Sequence, residues 1–493
     1  MAQDTQVIIV MLAYMVLMVG WGLYQGRKVK TDEDYAIAGR TLPGWAAALS
    51  ERAAGESSWA LLGLPGAAYA TGLMEIWTAV GCVAGIITAW AALAWRLRDE
   101  AEKYRITSFT EYIAKRHGES AQMIRSVASA VIVFFFFFYV GAQFIGGGKT
   151  LYALMHIKPE LGMLLTAVVI IPYTIYGGFR SVVYTDVIQA IIMIFTLVVG
   201  PLVGIIYIAK HPELFAQSIP QALEKAGSTY QSFTGAASGF GMGVVIIGGL
   251  SWFFGYLGGQ PQLSMRFMAI RDSKNAKRAR NIGIAWTLLA YVGALSIGWI
   301  GIALFGPTGL ADREYVMPAV MLKLFPPALA AVLIIGAIAA MLSTADSLLI
   351  LSASELSENI IKPLSKGKGK NMDPKKALAQ SRIVTSLLAV IALIVAFVSF
   401  KMNFKLIFTI VGYVWAGIGG TFSVVILLTL FWKKFHGKAV IITIITGMLF
   451  TIIWGITGME AVMTSRFLTF LVAGVTAILS TYLIPKTQSE PKI

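Results

Sequence analysis

The 493-residue chain holds one cysteine, Cys82, and four histidines. A single thiol can form no intramolecular disulfide and no cysteine-cluster metal centre. His117, His156, His211 and His436 stand far apart, near the ends of apolar runs, so no zinc-ligand spacing is present. Charge is scarce too: 13% of residues are charged, about half the level of soluble domains. Long polar stretches are also missing. The widest gaps between apolar runs are 97–120, 210–235 and 361–377, too short for a soluble domain. What fills the chain is hydrophobic: 57% of residues, with a mean hydropathy of +0.74. That composition excludes a set of soluble domains and points to a membrane protein that crosses many times. The net charge of +15 does not mean nucleic acid, because the basic residues sit in short clusters between apolar runs and form no basic face with interleaved aromatics.

Runs of about 20 apolar residues predict thirteen spans. They lie at roughly 6–26, 43–72, 74–96, 122–153, 160–178, 183–209, 237–259, 282–305, 327–360, 378–400, 405–432, 439–458 and 464–485. The first run has no basic residue before it and no small-residue cleavage site, so it reads as a retained helix rather than a signal peptide. With the N-terminus outside and the C-terminus in the cytoplasm, about thirty of the 40 basic residues fall inside and about nine outside, with Arg52 within a span. The basic stretch 362–376 reads as a flexible linker at the inner face, where it can meet lipid. The chain ends soon after the last span, and no appended sensor or kinase module is expected.

Two spans are unlike the rest. Pro43–Gly72 carries Glu51, Arg52, Gly55, Glu56, Ser57 and Ser58 in its middle. Charges at that depth are expensive and rarely occur without a task. Glycine and serine can loosen the helix, and a break is expected over Ala53–Glu56. The second odd span, Gly235–Pro261, has glycines crowded at both ends and closes on Gly259-Gln260-Pro261. Its GFGMG piece follows no strand and precedes no ribose-reading acid, so it is not a nucleotide fingerprint. One interrupted span opens a block of five spans (43–209) and the other opens the next five (237–432), the sequence sign of an inverted-repeat transporter. Residues 1–42 then form an extra helix and inner loop, 210–236 an outer loop, and 433–493 two further helices and a tail.

Oxygen ligands gather at Ala337–Leu349, where Ser343, Thr344, Asp346 and Ser347 fall within about one helical turn. The carbonyls of Ala53, Glu56 and Ala340, with the hydroxyls of Ser343 and Thr344, would supply the five oxygens a sodium ion wants. Equally open is that the hydroxyls bond the preceding turn of their own helix.

Several blocks in order carry a family likeness. They include Asp32-Glu33-Asp34-Tyr35 with Gly39-Arg40, then Ser57-x-Trp59 with Gly63-Leu64-Pro65-Gly66-Ala67. Tyr176-Gly177-Gly178-Phe179, Tyr184-Thr185-Asp186 with Gln189, Trp252 with Gly255-Tyr256, and Gly259-Gln260-Pro261 continue the series. Arg266-Phe267-Met268-Ala269, Ser343-Thr344 and Tyr413-x-Trp415-Ala416 complete it. Over nearly its whole length the chain resembles the sodium/solute symporter family, and most of all its bacterial sodium/proline symporters. The resemblance implies an all-α integral membrane protein with a leucine-transporter-type core of two inverted five-helix repeats, one helix before it and two after. It places sodium on Ala53, Glu56, Ala340, Ser343 and Thr344. It places substrate on Ser57, Trp59, Tyr139, Trp252, Tyr256, Gln260 and Pro261; for Tyr139, which follows a run of phenylalanines, packing is as good an account. Some members resemble this chain in a second cation site, which here would be Asp186, Ser343, Asp346 and Ser347. The alternative for those acids is that Asp186 caps a helix start and Asp346 is satisfied by backbone or Arg180.

One residue departs from the pattern: proline symporters carry an aspartate where this chain has Gly55. Arg52 and Glu56 make an i, i+4 pair, and Glu51 shares a face with Gly55. Glu51, Arg52 and Glu56 are therefore either a neutralised pair that stiffens the break or a carboxylate group that lets a proton replace or join sodium. The expectation is a multi-pass protein of the cell inner (plasma) membrane that couples sodium entry to uptake of a small amino acid, proline first. A same-fold carrier of a monocarboxylate or pantothenate, driven by protons, is the rival. A channel lacks its pore loops, and an enzyme its motif. The partners expected are a small-molecule substrate and membrane lipid, with no nucleic acid and no obligate protein partner.

Overall fold

A computed structural model describes residues 2–29, 31–361, 363, 374–404 and 406–485. The linker 362–376 and the tail lysines lie mostly outside the described residues. Among the described residues, ten helices are long and apolar enough to cross a bilayer. Two of these stretches are pairs of spans: 44–104 turns back at Gly72–Glu75, and 159–210 bends sharply at Gly178. A further crossing is made of pieces: Phe240–Leu250 and Trp252–Gly255, then Pro261–Met268. Counted this way, the described residues make about the thirteen crossings that run length predicts.

Burial orders these helices into a centre and a periphery. The most apolar window of 327–361 is 83% buried inside the protein, against 22% for Ser465–Leu483 and 28% for Thr5–Gly26. Pro327–Leu356 packs on Pro159–Lys210, Ala121–Met155 and Gly44–Ser58, and so forms the pillar of the molecule. Peripheral helices keep apolar side chains such as Val16, Leu387, Ile453 and Leu479 on the outside. In a bilayer that is the stable arrangement, since lipid tails solvate those faces and every helical backbone group is satisfied internally.

The two interrupted spans meet. Leu42, just before the first, donates its N–H to the Ala269 carbonyl (3.1 Å) and accepts from Arg271 N–H (2.9 Å), just after the second. Among the described residues this is an isolated bridge, with no named strand. Gly178 has φ +58, and a Cβ there would lie 2.6 Å from the Tyr35 ring, so only glycine lets the bend close on the short helix Asp32–Ile37.

The loops sort onto two faces. Arg40 bonds the Ile106 carbonyl (2.7 Å) and Arg98 the Ile270 carbonyl (3.0 Å), which gathers three of the basic segments on one side. On that side Asp272 caps Ser273–Phe305; accepting the Asn275 N–H at 2.7 Å holds its carboxyl below the usual range. On the other side Tyr69 bonds the Gly306 carbonyl, Trp299 bonds Gly72, and Lys149 holds Asp312 (2.8 Å) and Glu314 (2.6 Å).

Candidate transport site

The first interrupted span breaks at one residue. Ser57 has φ 48 and ψ −167, a combination ordinarily reserved for glycine. The break is thus later than expected: Ala53–Glu56 remain inside the helix Gly44–Ser58. Gly55 does not loosen the helix; it makes room. A Cβ there would lie 3.2 Å from Leu263 and 3.3 Å from the Arg52 guanidinium. The groups freed at Ser57 find side chains. Trp59 N–H reaches Ser57 Oγ (3.2 Å), and Ser58 N–H is accepted by Gln143 Oε1 (3.1 Å). A wide turn, Trp59–Gly63, then leads into Leu64–Thr71. The second span breaks over Tyr256–Gln260, with Gly258 at φ +84, and Pro261 starts its second half, Pro261–Met268, at the first helical turn, where a missing N–H costs nothing.

Against the first break stands the hydroxyl pair. Ser343 Oγ donates to the Ala53 carbonyl (3.0 Å) and to its own helix at Ala340 (3.1 Å). Thr344 Oγ1 donates to the Ala54 carbonyl (3.2 Å). The structure therefore brings Ala53, Ala340, Ser343 and Thr344 together and adds Ala54. The Glu56 carbonyl takes no hydroxyl and accepts the Trp59 N–H instead. All of these residues are fully buried. The donor set is neutral carbonyls and hydroxyls converging from two helices. Such a set suits a hard monovalent cation, because the hydroxyls can turn their lone pairs to the ion and release the carbonyls to it. Ser343 thus bonds both the preceding turn of its own helix and the facing helix.

The predicted second cation group is assembled differently. Asp186, Asp346 and Ser347 are buried near one another, but a guanidinium lies among them. Arg266 Nη2 donates to Asp186 Oδ2 (2.7 Å) and to Ser347 Oγ, and its Nε donates to Ser50 Oγ (2.6 Å), which also bonds Asp186. Asp346 accepts the Tyr173 hydroxyl (3.0 Å). Arg180 takes no part; its guanidinium lies over the Tyr184 ring. Ser343 turns to Ala53.

Glu51, Arg52 and Glu56 form one buried knot. Arg52 grips both oxygens of Glu51, at 2.6 Å through Nε and more closely through Nη2, and reaches Glu56 Oε1 at 2.8 Å. Trp90 Nε1 adds a bond to Glu51 (2.9 Å).

The residues expected at the substrate are aromatic neighbours. The Trp59 and Trp252 rings stack, with centroids 4.6 Å apart. Trp415 meets Tyr256 edge-on at 5.0 Å and Tyr139 at 6.3 Å. Gln260 accepts from Gln262 (3.1 Å) and lies against Gly419, beside Pro261 at the second break. Tyr139 lies close to Ser57. The sequence reading passed over Trp415, Tyr291, Gln143 and above all Arg266. Trp415 sat within a matched motif and could have been added. Arg266 also stands in a matched block, with no role given to it, and it is 1% exposed.

Two helix breaks facing each other at the centre of a many-span bundle, beside a buried hydroxyl pair, define a broken-helix membrane transporter. A profile of the Sodium:solute symporter family matches residues 35–447. The chain is 32% identical to the osmoregulated proline transporter of Bacillus subtilis over 90% of its length and 87% of the relative's. It is 31% identical to the high-affinity proline transporter of the same organism, over 97% of this chain and 96% of the other. With the sodium/proline symporter of Escherichia coli it shares 29% over 92% and 88%. Among solved structures, a substrate-bound outward-open Na+-coupled sialic acid symporter superposes with a TM-score of 0.76 at 19% identity, covering 97% of this chain and 98% of that one. The chain belongs to the sodium:solute symporter family. It is a multi-pass secondary transporter of the leucine-transporter type and not an enzyme.

Proposed function

We propose that this transporter couples sodium entry to uptake of a small amino acid, proline first, by alternating access. The observation that carries the reading is the pair of hydroxyls, Ser343 and Thr344, seated on the Ala53 and Ala54 carbonyls next to the Ser57 break. Sodium binds there, and the stacked Trp59 and Trp252 with Tyr139, Tyr256, Gln260, Pro261 and Ser57 hold the solute across the two breaks. The proline transporters among the relatives support that substrate. The repeats run 43–209 and 237–432, each opened by an interrupted span. The protein lies in the plasma membrane with its N-terminus outside, an orientation supported by the bias of basic residues toward one face. The partners are solute and lipid.

Linkage gives the coupling: sodium that favours the outward-open state raises solute affinity, and solute raises sodium affinity by the same factor. Uptake of labelled proline with sodium replaced by potassium tests the reading. Loss of uptake is expected. Unchanged uptake that follows a pH gradient would put a proton in sodium's place, and uptake of pantothenate or a monocarboxylate in preference to proline would replace the substrate. Ser343→Ala and Thr344→Ala should each weaken apparent sodium affinity about tenfold without loss of expression; an unchanged sodium titration in both variants would remove the site.

A further inference from the structure

Within the Arg52 knot the two carboxylates are not equal. Glu51 receives both a paired guanidinium edge and the Trp90 indole N–H. Glu56 receives one guanidinium N–H, on Oε1. Its other oxygen, Oε2, has no hydrogen-bond partner although the side chain is fully buried. Two acids share one arginine, so one negative charge stands uncompensated at mid-depth, where a lone charge is costly.

The surroundings of Glu56 say what would answer that charge. It is the residue before the Ser57 break. The Tyr291 hydroxyl lies beside it and also bonds the Tyr256 hydroxyl (3.1 Å). The Tyr291 ring is 6.0 Å from Trp59, which stacks on Trp252. An open carboxylate oxygen beside a tyrosine hydroxyl whose ring adjoins stacked indoles can accept an organic ammonium. Among the other open valences nearby, Trp252 Nε1, Trp415 Nε1 and Gln260 Nε2 are buried donors without acceptors, beside one open acceptor, Gln262 Oε1. Donors without acceptors suit a carboxylate.

We propose that the Glu56 side chain reads the substrate's amine, with Oε2 accepting an N–H of a primary or secondary ammonium while the indole and amide donors face the carboxylate. The inference rests on the amino-acid reading above and narrows it to α-amino and α-imino acids. A monocarboxylate of the same shape leaves the Glu56 charge unanswered and is rejected. A fully alkylated ammonium supplies charge but no N–H, and ranks between.

Competition binding on the purified full chain in sodium tests this, with labelled proline displaced by proline, N,N-dimethylproline or tetrahydrofuran-2-carboxylate, the last replacing the ring nitrogen by oxygen. Proline should win over the oxygen analogue by at least about 100-fold, because a site built for a hydrogen bond rejects the ligand that lacks it. Glu56→Gln should weaken proline by about tenfold or more and shrink that preference to match. Glu56→Asp, a second variant that keeps the charge, should retain part of it. A Glu56→Gln protein with the wild-type preference would overturn the inference and leave proline as substrate. Wild-type protein that binds the oxygen analogue as tightly as proline would overturn it without any variant. If the wild type binds none of the amino acids but does bind a monocarboxylate, this inference and the substrate reading both fall.

Discussion

Two buried arginines, each set between two acids, make an instructive pair. Arg52 finds Glu51 and Glu56 within its own helix, one and four residues away. Arg266 finds Asp186 80 residues away, touches Ser347, next to Asp346, 81 residues away, and also bonds Ser50, so its guanidinium ties its own helix to three others. Bonds inside one helix travel with it when the helix moves. Bonds across four helices resist any motion of one against the others. The first knot therefore shapes a site, whereas the second is a clamp that alternating access has to loosen.

The largest expected effect comes from cutting the clamp. Arg266→Gln leaves Asp186 and Asp346 buried without a cation, a change that costs about 3–5 kcal/mol. The melting midpoint in detergent should fall by many degrees, and adding Asp186→Asn should recover part of the loss because it removes one stranded charge. If the double variant melted no higher than Arg266→Gln alone, the clamp would not be a pair. A sharper contrast uses the acids singly. Asp186→Asn should act mainly on maximal uptake rate. Glu51→Gln frees Arg52 to claim Glu56 and should act mainly on half-saturating substrate concentration. The same split from both variants would erase the distinction between clamp and site.

Legibility in the sequence follows the same line. Arg52–Glu56 could be read because an i, i+4 pair is a local fact. The crossings could be read from run length, and the second break from Gly259-Gln260-Pro261. Arg266 could not, since charge counting treats every arginine near a span end alike, and its acid lies across the fold. The Ser343–Ala53 approach was suggested only by hydroxyl chemistry and family likeness, and the part taken by Ala54 had no signal. The first break was placed too early because glycine is the usual loosening residue, whereas here tertiary packing holds a serine in the strained conformation.

A middle-sized effect is expected at Gly55, which lies against Leu263 and the Arg52 guanidinium. Gly55→Asp pushes on Leu263 and the Arg52 guanidinium, both of which can shift. Overpacking costs about 1–2 kcal/mol, partly offset by a new charge-assisted bond to Arg52. The melting midpoint should drop by less than in Arg266→Gln. Apparent sodium affinity should rise, since an anionic oxygen is added one residue from the Ala54 carbonyl. Sodium titration of thermal stability decides it, and a fall in affinity would show that the new carboxylate is consumed by Arg52.

The smallest effect concerns the break itself and separates its two terms. Ser57 carries backbone strain of about 1–3 kcal/mol. It also returns a hydrogen bond to Trp59 N–H at 3.2 Å, worth about 1 kcal/mol. Ser57→Ala loses the bond and keeps the strain, so it should be less stable than wild type by about 1 kcal/mol. Ser57→Gly loses the bond and the strain together and should sit close to wild type. The difference between these two variants measures the strain directly, free of the hydrogen bond. Equal melting midpoints would mean that the chain relaxes around alanine, and the first break would then be a flexible joint rather than the fixed feature that the Arg52 knot and the hydroxyl pair are built against.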